Sequence, residues 1–214
     1  IHLVKVIRLK IGDEISLFNN TSREWKCEIV DIKNNFLKAK AISQISSPRS
    51  EALIDLMFSP IKYQNSEAII RQATEMGVRS LFPTTFKRTI NKKINLDKFN
   101  AYALGATQQS GRLSIPKIDK LNDLKSRSDI LSDKTVLMFD ENLEGIHLSQ
   151  AKIKSNDEIL VIIGPEGGFE EEERAFISNA SKNFLNVSLG HNILKADTAV
   201  IAALSLTFHY FNEN

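Results

Sequence analysis

The sequence predicts an α/β protein in which a mainly parallel sheet is covered by helices on both faces and is preceded by a small β-barrel. Three observations support this fold class. Short apolar runs broken by turn dipeptides fill residues 1–47, a polar stretch around Pro48 follows, and strand-like and helix-like runs alternate from residue 51 onwards. We therefore expect two domains, a barrel at residues 1–47 and an α/β domain at residues 51–214.

The first domain is predicted from alternating side chains and turns. Strand-like runs cover residues 3–9, 14–18, 25–32 and 36–42. In the third run, apolar residues alternate from Trp25 to Ile29, and the pattern then shifts at Val30 and Ile32, which predicts a β-bulge. The breaks between the runs are Gly12-Asp13, Asn19-Asn20 and Asn34-Asn35.

The second domain is predicted from apolar runs and helix-capping residues. Ser66 is typical of a helix N-cap, and Gly77 is typical of the C-cap of the same helix, which would end at Met76. Strands that alternate with helices indicate a parallel sheet. In chain order we expect strand 52–58, helix 66–76, strand 78–82, helix 97–109, strand 135–139, strand 159–163, helix 170–180, strand 186–189 and helix 198–210.

The composition is typical of a cytoplasmic globular protein. A single cysteine, Cys27, excludes an internal disulfide and a cysteine-rich metal site, and the four histidines lack ligand spacing, so we expect no metal. The longest apolar run, at residues 199–206, is too short to cross a membrane, and we expect no membrane association. Because the chain begins at Ile1, we expect that the natural protein has further N-terminal residues.

Charge is distributed unevenly along the chain. The net charge is +2, but residues 1–130 carry 22 Lys and Arg against 13 Asp and Glu, whereas residues 131–214 carry 6 against 13. Lys87-Arg88 and Lys92-Lys93 form the densest basic cluster. This asymmetry favours a polyanionic partner for the basic part, with ordinary surface charge as the alternative.

Two glycine-bearing segments, residues 163–169 and 189–199, predict a ligand crevice. They contain four of the nine glycines, and each follows a predicted strand and precedes a predicted helix. Neither segment is a dinucleotide or Walker motif. Four consecutive glutamates, from Glu170 to Glu173, would repel a phosphate at the start of the next helix. The segments therefore favour a neutral or cationic ligand, and a tight turn without a ligand is the alternative.

Five separated motifs together resemble one enzyme family. They are His2 to Lys10 with Gly12-Asp13; Ala73-Thr74-Glu75-Met76-Gly77-Val78 with Pro83 and Arg88; Gln109-x-x-Arg112-x-x-x-Pro116; Gly164-Pro165-Glu166-Gly167-Gly168-Phe169; and Ile193-Leu194-Lys195-Ala196-Asp197-Thr198-Ala199. In this order they resemble the SPOUT superfamily of knotted RNA methyltransferases and, within it, the RsmE family, which methylates uridine N3 in 16S ribosomal RNA of the small subunit. The chain differs from the family pattern at Lys195 and Asp197, where the family has Arg and Glu.

The resemblance implies a trefoil-knotted SPOUT domain, a PUA-like barrel and a homodimer. The C-terminal helix is apolar almost all round, so we also expect it to pack against a partner subunit. The family binds S-adenosylmethionine in three loops, which would here be residues 140–142, 164–168 and 189–194. The expected cofactor-binding residues are Phe139, Ile163, Gly164, Pro165, Gly167, Gly168, Leu189, Gly190, Ile193, Leu194 and Thr198. The ribosomal RNA or small ribosomal subunit would be contacted by Arg8, Lys10, Lys87, Arg88, Gln109 and Arg112.

The implied chemistry needs an acceptor nitrogen that has lost its proton. Uridine N3 is a weak acid, so a base must remove the proton, or cations must stabilise the anion. We expect Arg112 and Lys195 to grip the target nucleotide and stabilise this anion. Glu166 is interpreted either as the general base or as an orienting residue for loop backbone and cofactor amines, and we favour orientation. Asp197 and Thr198 are further candidates.

Three rival functions follow from the same residues. A SPOUT ribose 2′-O-methyltransferase uses a similar loop, but the barrel and the motif at residues 164–169 argue against it. A non-catalytic RNA-binding module would need only the barrel and the basic half, and would have no use for cofactor loops. A small-molecule kinase or NTPase lacks any phosphate-binding motif here.

Overall fold

The computed structural model of the chain describes residues 8–19, 23–33, 36–46, 53–61, 63–140, 145–154 and 156–213. The chain divides into two compact units, Ile1–Ser50 and Glu51–Asn214. Most of the strand predicted at residues 3–9 lies outside the described residues, and so does much of the polar stretch before residue 51. Of that predicted strand, Arg8 and Leu9 are described and are not part of a strand.

The first unit contains an antiparallel sheet of three described strands, and the second of them along the chain lies in the centre. Three of the predicted strands are confirmed, and each of them extends further than predicted. The register shifts between Ile29 and Asp31, which confirms the predicted bulge. Cys27 and Ile29 are buried on this sheet. The strands are β1 (Glu14–Asn19), β2 (Arg23–Lys33) and β3 (Phe36–Ser46).

The second unit is built on a sheet in which every strand pair is parallel, as predicted. The strands are β4 (Ile54–Phe58), β5 (Ser80–Thr85), β6 (Lys117–Ile118), β7 (Asn122–Asp123), β8 (Thr135–Phe139), β9 (Ile159–Ile163) and β10 (Asn183–Val187). Their order in the sheet is β10-β8-β9-β4-β5-β6, and β7 also pairs with β5.

Helices cover both faces of this sheet. Strands β4, β8 and β9 are buried along their whole length, as expected for parallel strands between two helical layers. Alternate side chains enter two separate cores, with Leu56 and Leu137 on one side and Met57 and Met138 on the other. The helices are α1 (Tyr63–Met76), α2 (Leu96–Ser110), α3 (Ser128–Ser132), α4 (Glu171–Ala180) and α5 (Ala196–Glu213), with 3-10 turns at Lys125–Arg127 and Leu148–Gln150.

The predicted cap at Ser66 is wrong, because α1 begins three residues earlier. The buried Ser66 hydroxyl instead accepts a hydrogen bond from the Ile61 N–H (3.1 Å) and donates one to the Ile61 carbonyl (2.9 Å). It therefore fastens the segment between β4 and α1. The predicted end of this helix at Gly77 is confirmed, and Gly77 adopts a left-handed conformation with φ +104°.

The strand predicted at residues 186–189 is displaced, because β10 is Asn183–Val187. Its pairing with β8 ends at Val187, opposite Phe139, so the chain leaves the sheet before Leu189. The short elements between residues 117 and 132 were not predicted, because two-residue strands and a five-residue helix show no periodic pattern. Within the described part of the chain, none of the helices has both the length and the apolar character needed to span a membrane.

Candidate functional site

The carboxyl ends of three neighbouring parallel strands meet at one cleft. Phe139 ends β8 and Ile163 ends β9, and these two residues are paired across the sheet. Val187 ends β10 and is paired with Phe139 on the other side. The loops that follow these strands surround a cavity of about 450 Å³. This is the edge at which open parallel sheets bind ligands.

Most of the predicted cofactor-binding residues line this cleft, as do Glu166 and Lys195. Those that do so are Phe139, Ile163, Gly164, Pro165, Gly168, Leu189, Gly190, Ile193 and Leu194. The structure places Gly167 and Thr198 outside the lining. Gly167 packs against another side chain, since a Cβ added to it would lie 3.3 Å from Cβ and Cδ of Arg88. Thr198 lies in the first turn of α5, where its N–H donates to Asp197 Oδ1 at 3.0 Å.

Further residues line the cleft that the sequence analysis did not name individually as cofactor-binding, although Asp140 and Asn192 lie in two of the predicted loops. These are Asn65, Asp140, Phe169, Asn192, Ala196 and Ala199. Asn65 is in the first turn of α1, just beyond the carboxyl end of β4. Because β4 neighbours β9 in the sheet, residues after its carboxyl end reach the same edge. Asn65 could therefore have been predicted at the cleft if the sequence had also indicated that β4 lies beside β9.

The Phe169 ring packs against the loop of residues 164–168. Phe169 is buried, and its ring meets that of Phe86 edge to face with a centroid distance of 5.2 Å. A Cβ on Gly164 would lie 2.8 Å from the Phe169 ring, so only glycine fits there. The turn itself closes with a hydrogen bond from the Gly168 N–H to the Pro165 carbonyl at 2.9 Å, and Gly168 has φ +73°.

The acidic start of α4 is engaged in a capping box. Glu170 is the N-cap, and the Glu173 carboxylate accepts the Glu170 N–H at 2.9 Å. The same carboxylate accepts the Lys87 N–H at 2.7 Å. Lys87 Nζ lies 2.7 Å from Glu172, and Arg88 Nε lies 2.8 Å from Glu170. The glutamates therefore stabilise the helix N-terminus and hold the turn that follows β5.

Asp140, the first residue after β8, is anchored by a buried ion pair. Its side chain is 1% exposed, and its two oxygens accept from Arg174 Nε at 2.5 Å and Nη2 at 3.3 Å. Two parallel hydrogen bonds to one guanidinium fix the orientation of the carboxylate. The charge of Asp140 at the cleft is thus compensated, and the end of β8 is tied to α4 through Asp140.

Arg112 does not line the cleft. Its Nη1 donates to the carbonyls of Thr74 at 2.8 Å and Val78 at 3.0 Å, and its Nη2 donates to Ser114 at 3.1 Å. The first two bonds satisfy carbonyl oxygens at and just beyond the C-terminal end of α1. The predicted action of Arg112 beside Lys195 in catalysis therefore stays a prediction, and the structure assigns its guanidinium a helix-capping contact.

The other predicted RNA contacts lie in different parts of the chain. Gln109 is exposed near the end of α2. Arg8 and Lys10 are exposed in the first unit, and Arg8 has a positive φ of 62°. Lys87 and Arg88 belong to the turn against α4, so both are already hydrogen-bonded within the protein.

A second charged cluster lies at the opposite, amino-terminal edge of the sheet. Arg79 Nη2 is 2.7 Å from Asp55 and 2.5 Å from Glu158, and Lys134 Nζ is 2.9 Å and 2.7 Å from the same two residues. Hydrogen bonds from Arg79 and then Lys134 lower the pKa of Glu158 to about 2. Asp55 and, to a lesser degree, Glu158 raise the pKa of Arg79. This cluster is far from the cleft edge and joins strands β4, β5, β8 and β9.

The fold and the cleft define a class of protein, and comparison with known families names it. The RNA methyltransferase domain family matches residues 48–207, and the RNA methyltransferase PUA domain family matches residues 2–42. The chain belongs to this RNA methyltransferase family, which confirms the resemblance that the motifs indicated.

Two relatives are named as methyltransferases of small-subunit ribosomal RNA. A protein of Rickettsia conorii named ribosomal RNA small subunit methyltransferase E is 33% identical over 210 residues, with 96% of this chain and 84% of the relative covered. A protein of Borreliella burgdorferi named ribosomal RNA small subunit methyltransferase E 2 is 32% identical over 214 residues, covering 95% and 85%.

Solved structures resemble the whole chain. A putative methyltransferase from Legionella pneumophila, solved with bound S-adenosylmethionine, has a TM-score of 0.84 at 25% identity, covering 97% of this chain and 88% of that one. A ribosomal RNA small subunit methyltransferase E from Neisseria gonorrhoeae has a TM-score of 0.88 at 21% identity, with 98% and 88% covered. The second likeness shows a shared fold.

Proposed function

We propose that this protein transfers a methyl group from S-adenosylmethionine to N3 of a uridine in 16S ribosomal RNA of the small ribosomal subunit. The observation that carries the proposal is the cleft, which is formed by loops after three adjacent parallel strands and is lined by most of the predicted cofactor-binding residues. The relatives at 33% and 32% identity, both named as methyltransferases of small-subunit ribosomal RNA, support the substrate class.

The residues of the cleft fit the cofactor. A volume of about 450 Å³ is within the range of about 300–1,000 Å³ found for small-molecule sites. Ile163, Leu189, Ile193 and Leu194 supply apolar walls for an adenine ring. Close backbone approach is available at Gly190, where an added Cβ would meet nothing within 4 Å. When bound, S-adenosylmethionine supplies a methyl group on a sulfonium, so the protein does not have to activate the donor.

Lys195 is the cationic side chain that the structure brings to the cleft together with Glu166. An ammonium beside the target base would stabilise the N3 anion and lower the energy of its deprotonated form. Glu166 is exposed on the turn at the cleft, where its carboxylate can orient a donor or accept a proton. We favour orientation, in which the Glu166 carboxylate holds the loop backbone or the amino groups of the cofactor in the position that methyl transfer requires.

We also propose that the protein is a homodimer, that its second unit is knotted and that its first unit is a barrel. Ile201 and Leu206 on α5 are each 38% exposed, which supports packing of a second copy of the chain against this helix. The match of the RNA methyltransferase family to residues 48–207 supports the knot that the resemblance implies. The match of the PUA family to residues 2–42 supports the barrel that the sequence predicts for the first unit. We also propose a cytoplasmic location.

The first test of this proposal is ligand binding followed by product analysis. Calorimetry is expected to show saturable binding of S-adenosylmethionine and none of ATP, because the start of α4 is acidic. Small ribosomal subunits treated with enzyme and cofactor are expected to yield 3-methyluridine in a nucleoside digest analysed by mass spectrometry.

Lysine variants make the test specific to the site. Lys195→Ala is expected to lower kcat by roughly 100-fold, as for the loss of one group that stabilises a developing anion. Lys182→Ala, which removes an exposed lysine after α4, is the matched control and is expected to leave kcat unchanged. A 2′-O-methylated nucleoside in the digest would contradict the proposal in favour of ribose methylation.

A further inference from the structure

The turn of residues 86–89, which follows β5, is joined to the loop of residues 164–168 and to the start of α4. The Phe86 ring packs on the Phe169 ring, and the Lys87 N–H donates to the Glu173 carboxylate. Within the turn, the Thr89 hydroxyl accepts the Phe86 N–H at 2.8 Å and is bonded to the Ser59 hydroxyl at 2.8 Å. The turn is thus fixed to the end of the central strand β4 and has little freedom of its own.

Arg88 makes the most direct link between this turn and the loop. Its Nη1 donates to the Gly167 carbonyl at 2.6 Å, and its Nε donates to the Glu170 carboxylate at 2.8 Å. One planar guanidinium therefore bridges a loop carbonyl and the N-cap carboxylate of α4. The aliphatic stem of Arg88 lies against Gly167, where a side chain would be crowded at 3.3 Å.

We propose that Arg88 is a positioning residue for the cofactor loop. This inference rests on the proposed function: Arg88 holds residues 164–168 in the conformation that binds S-adenosylmethionine. It acts through Gly167 and Glu170 and does not line the cleft itself. The residues of the basic cluster then have two roles. Arg88 holds the cofactor loop, and Lys92 and Lys93, which are exposed further along the same segment, contact the RNA.

The geometry explains why arginine is needed at this position. The two acceptors are engaged by two different nitrogens of a rigid fork, and a lysine ammonium is a single centre that cannot reproduce this arrangement. Removing Arg88 would also leave the Gly167 carbonyl without this donor. Solvent screens these bonds in part, because the Arg88 side chain is 48% exposed, so we expect their joint loss to change the loop equilibrium by a factor of about 10.

The test compares Arg88→Ala and Arg88→Lys with Lys92→Ala, a matched loss of one positive charge in the same segment. Hydrogen exchange of the free protein is measured first, because the Gly168 N–H is bonded to the Pro165 carbonyl and reports opening of the turn. Both Arg88 variants are expected to exchange at Gly168 about tenfold faster or more, and Lys92→Ala is expected to exchange like the wild type.

Ligand affinities complete the test. Both Arg88 variants are expected to raise the KM for S-adenosylmethionine about tenfold or more while the KM for RNA stays the same, and Lys92→Ala is expected to show the reverse. Unchanged exchange in Arg88→Ala, or wild-type behaviour of Arg88→Lys, would overturn the inference. If the wild type binds no S-adenosylmethionine, the proposed function fails, and the exchange data on the free protein still decide the role of Arg88.

Discussion

At the scale of single residues, the glycines of the second unit differ in whether the structure leaves room for a side chain. Gly164 has no room because the Phe169 ring lies beneath it, and Gly168 needs its left-handed conformation. Gly105, in the middle of α2, meets neither limit: a Cβ there would have nothing within 4 Å. The sequence marked the glycines of the loop as functional, but only the folded chain separates the crowded positions from the open ones.

Gly164→Ala and Gly105→Ala are therefore expected to act in opposite directions. Alanine at 164 must displace the Phe169 ring and is expected to cost about 1–3 kcal/mol of unfolding free energy, as for an overpacked core. Alanine at 105 is expected to stabilise the protein by about 0.4–1 kcal/mol, because it restricts the unfolded chain and favours helix. Urea unfolding followed by circular dichroism measures both, and equal effects of the two substitutions would contradict this account.

At the scale of elements, the strands of the second unit are joined at their amino ends by charge and at their carboxyl ends by the cleft. Asp55 lies in β4, while Arg79, Lys134 and Glu158 immediately precede β5, β8 and β9. In the sequence, each of these residues resembles an ordinary surface charge next to an apolar run. Arg79 and Glu158 are 79 positions apart, so only the strand order β9-β4-β5 brings them together.

This cluster predicts a pH dependence of stability. The pKa of Glu158 is lowered from its ordinary value of 4.5 to about 2 by hydrogen bonds from Arg79 and Lys134. The carboxylate therefore stabilises the folded state fully above about pH 4.5, and this stabilisation is lost as the pH falls towards 2. Because the Glu158 side chain is 43% exposed, solvent screening keeps the effect modest.

Glu158→Gln is expected to lower stability at neutral pH and to flatten the loss of stability between about pH 5 and about pH 2. Glu75→Gln, on the exposed surface of α1, is the matched control and is expected to follow the wild-type profile. Far-ultraviolet circular dichroism suits this measurement, because the helices of the described chain all belong to the second unit. Parallel profiles for Glu158→Gln and the wild type would refute the assignment.

At the scale of the whole molecule, charge is divided between a basic part and an acidic part, and the proposed RNA partner depends on this division. Residues 1–130 carry an excess of nine positive charges, and residues 131–214 an excess of seven negative charges. RNA affinity that rests on phosphate contacts falls as salt rises, by about 0.7 logarithmic units per contact and per tenfold salt for single strands.

The double variant Arg8→Ala with Lys10→Ala is expected to weaken RNA binding and to reduce the salt slope by about 1.4, with affinity for S-adenosylmethionine unchanged. The matched control is Lys152→Ala with Lys154→Ala, which removes two exposed lysines from the acidic part. Fluorescence anisotropy with a fragment of small-subunit ribosomal RNA measures both slopes. If the two double variants change the slope equally, the asymmetry is ordinary surface charge.

The sequence by itself determined the order of the long elements, the glycine loops at strand ends, the parallel sheet and the family. These features are local: periodicity, caps and motifs are carried by neighbouring residues, which is why β8 and β9 were predicted to the residue. The tertiary structure alone decided the strand order, the lining by Asn65, and the contacts of Arg88 and Arg112. Arg88 and Glu170 are 82 positions apart, and a contact at that separation is set by packing of the whole sheet.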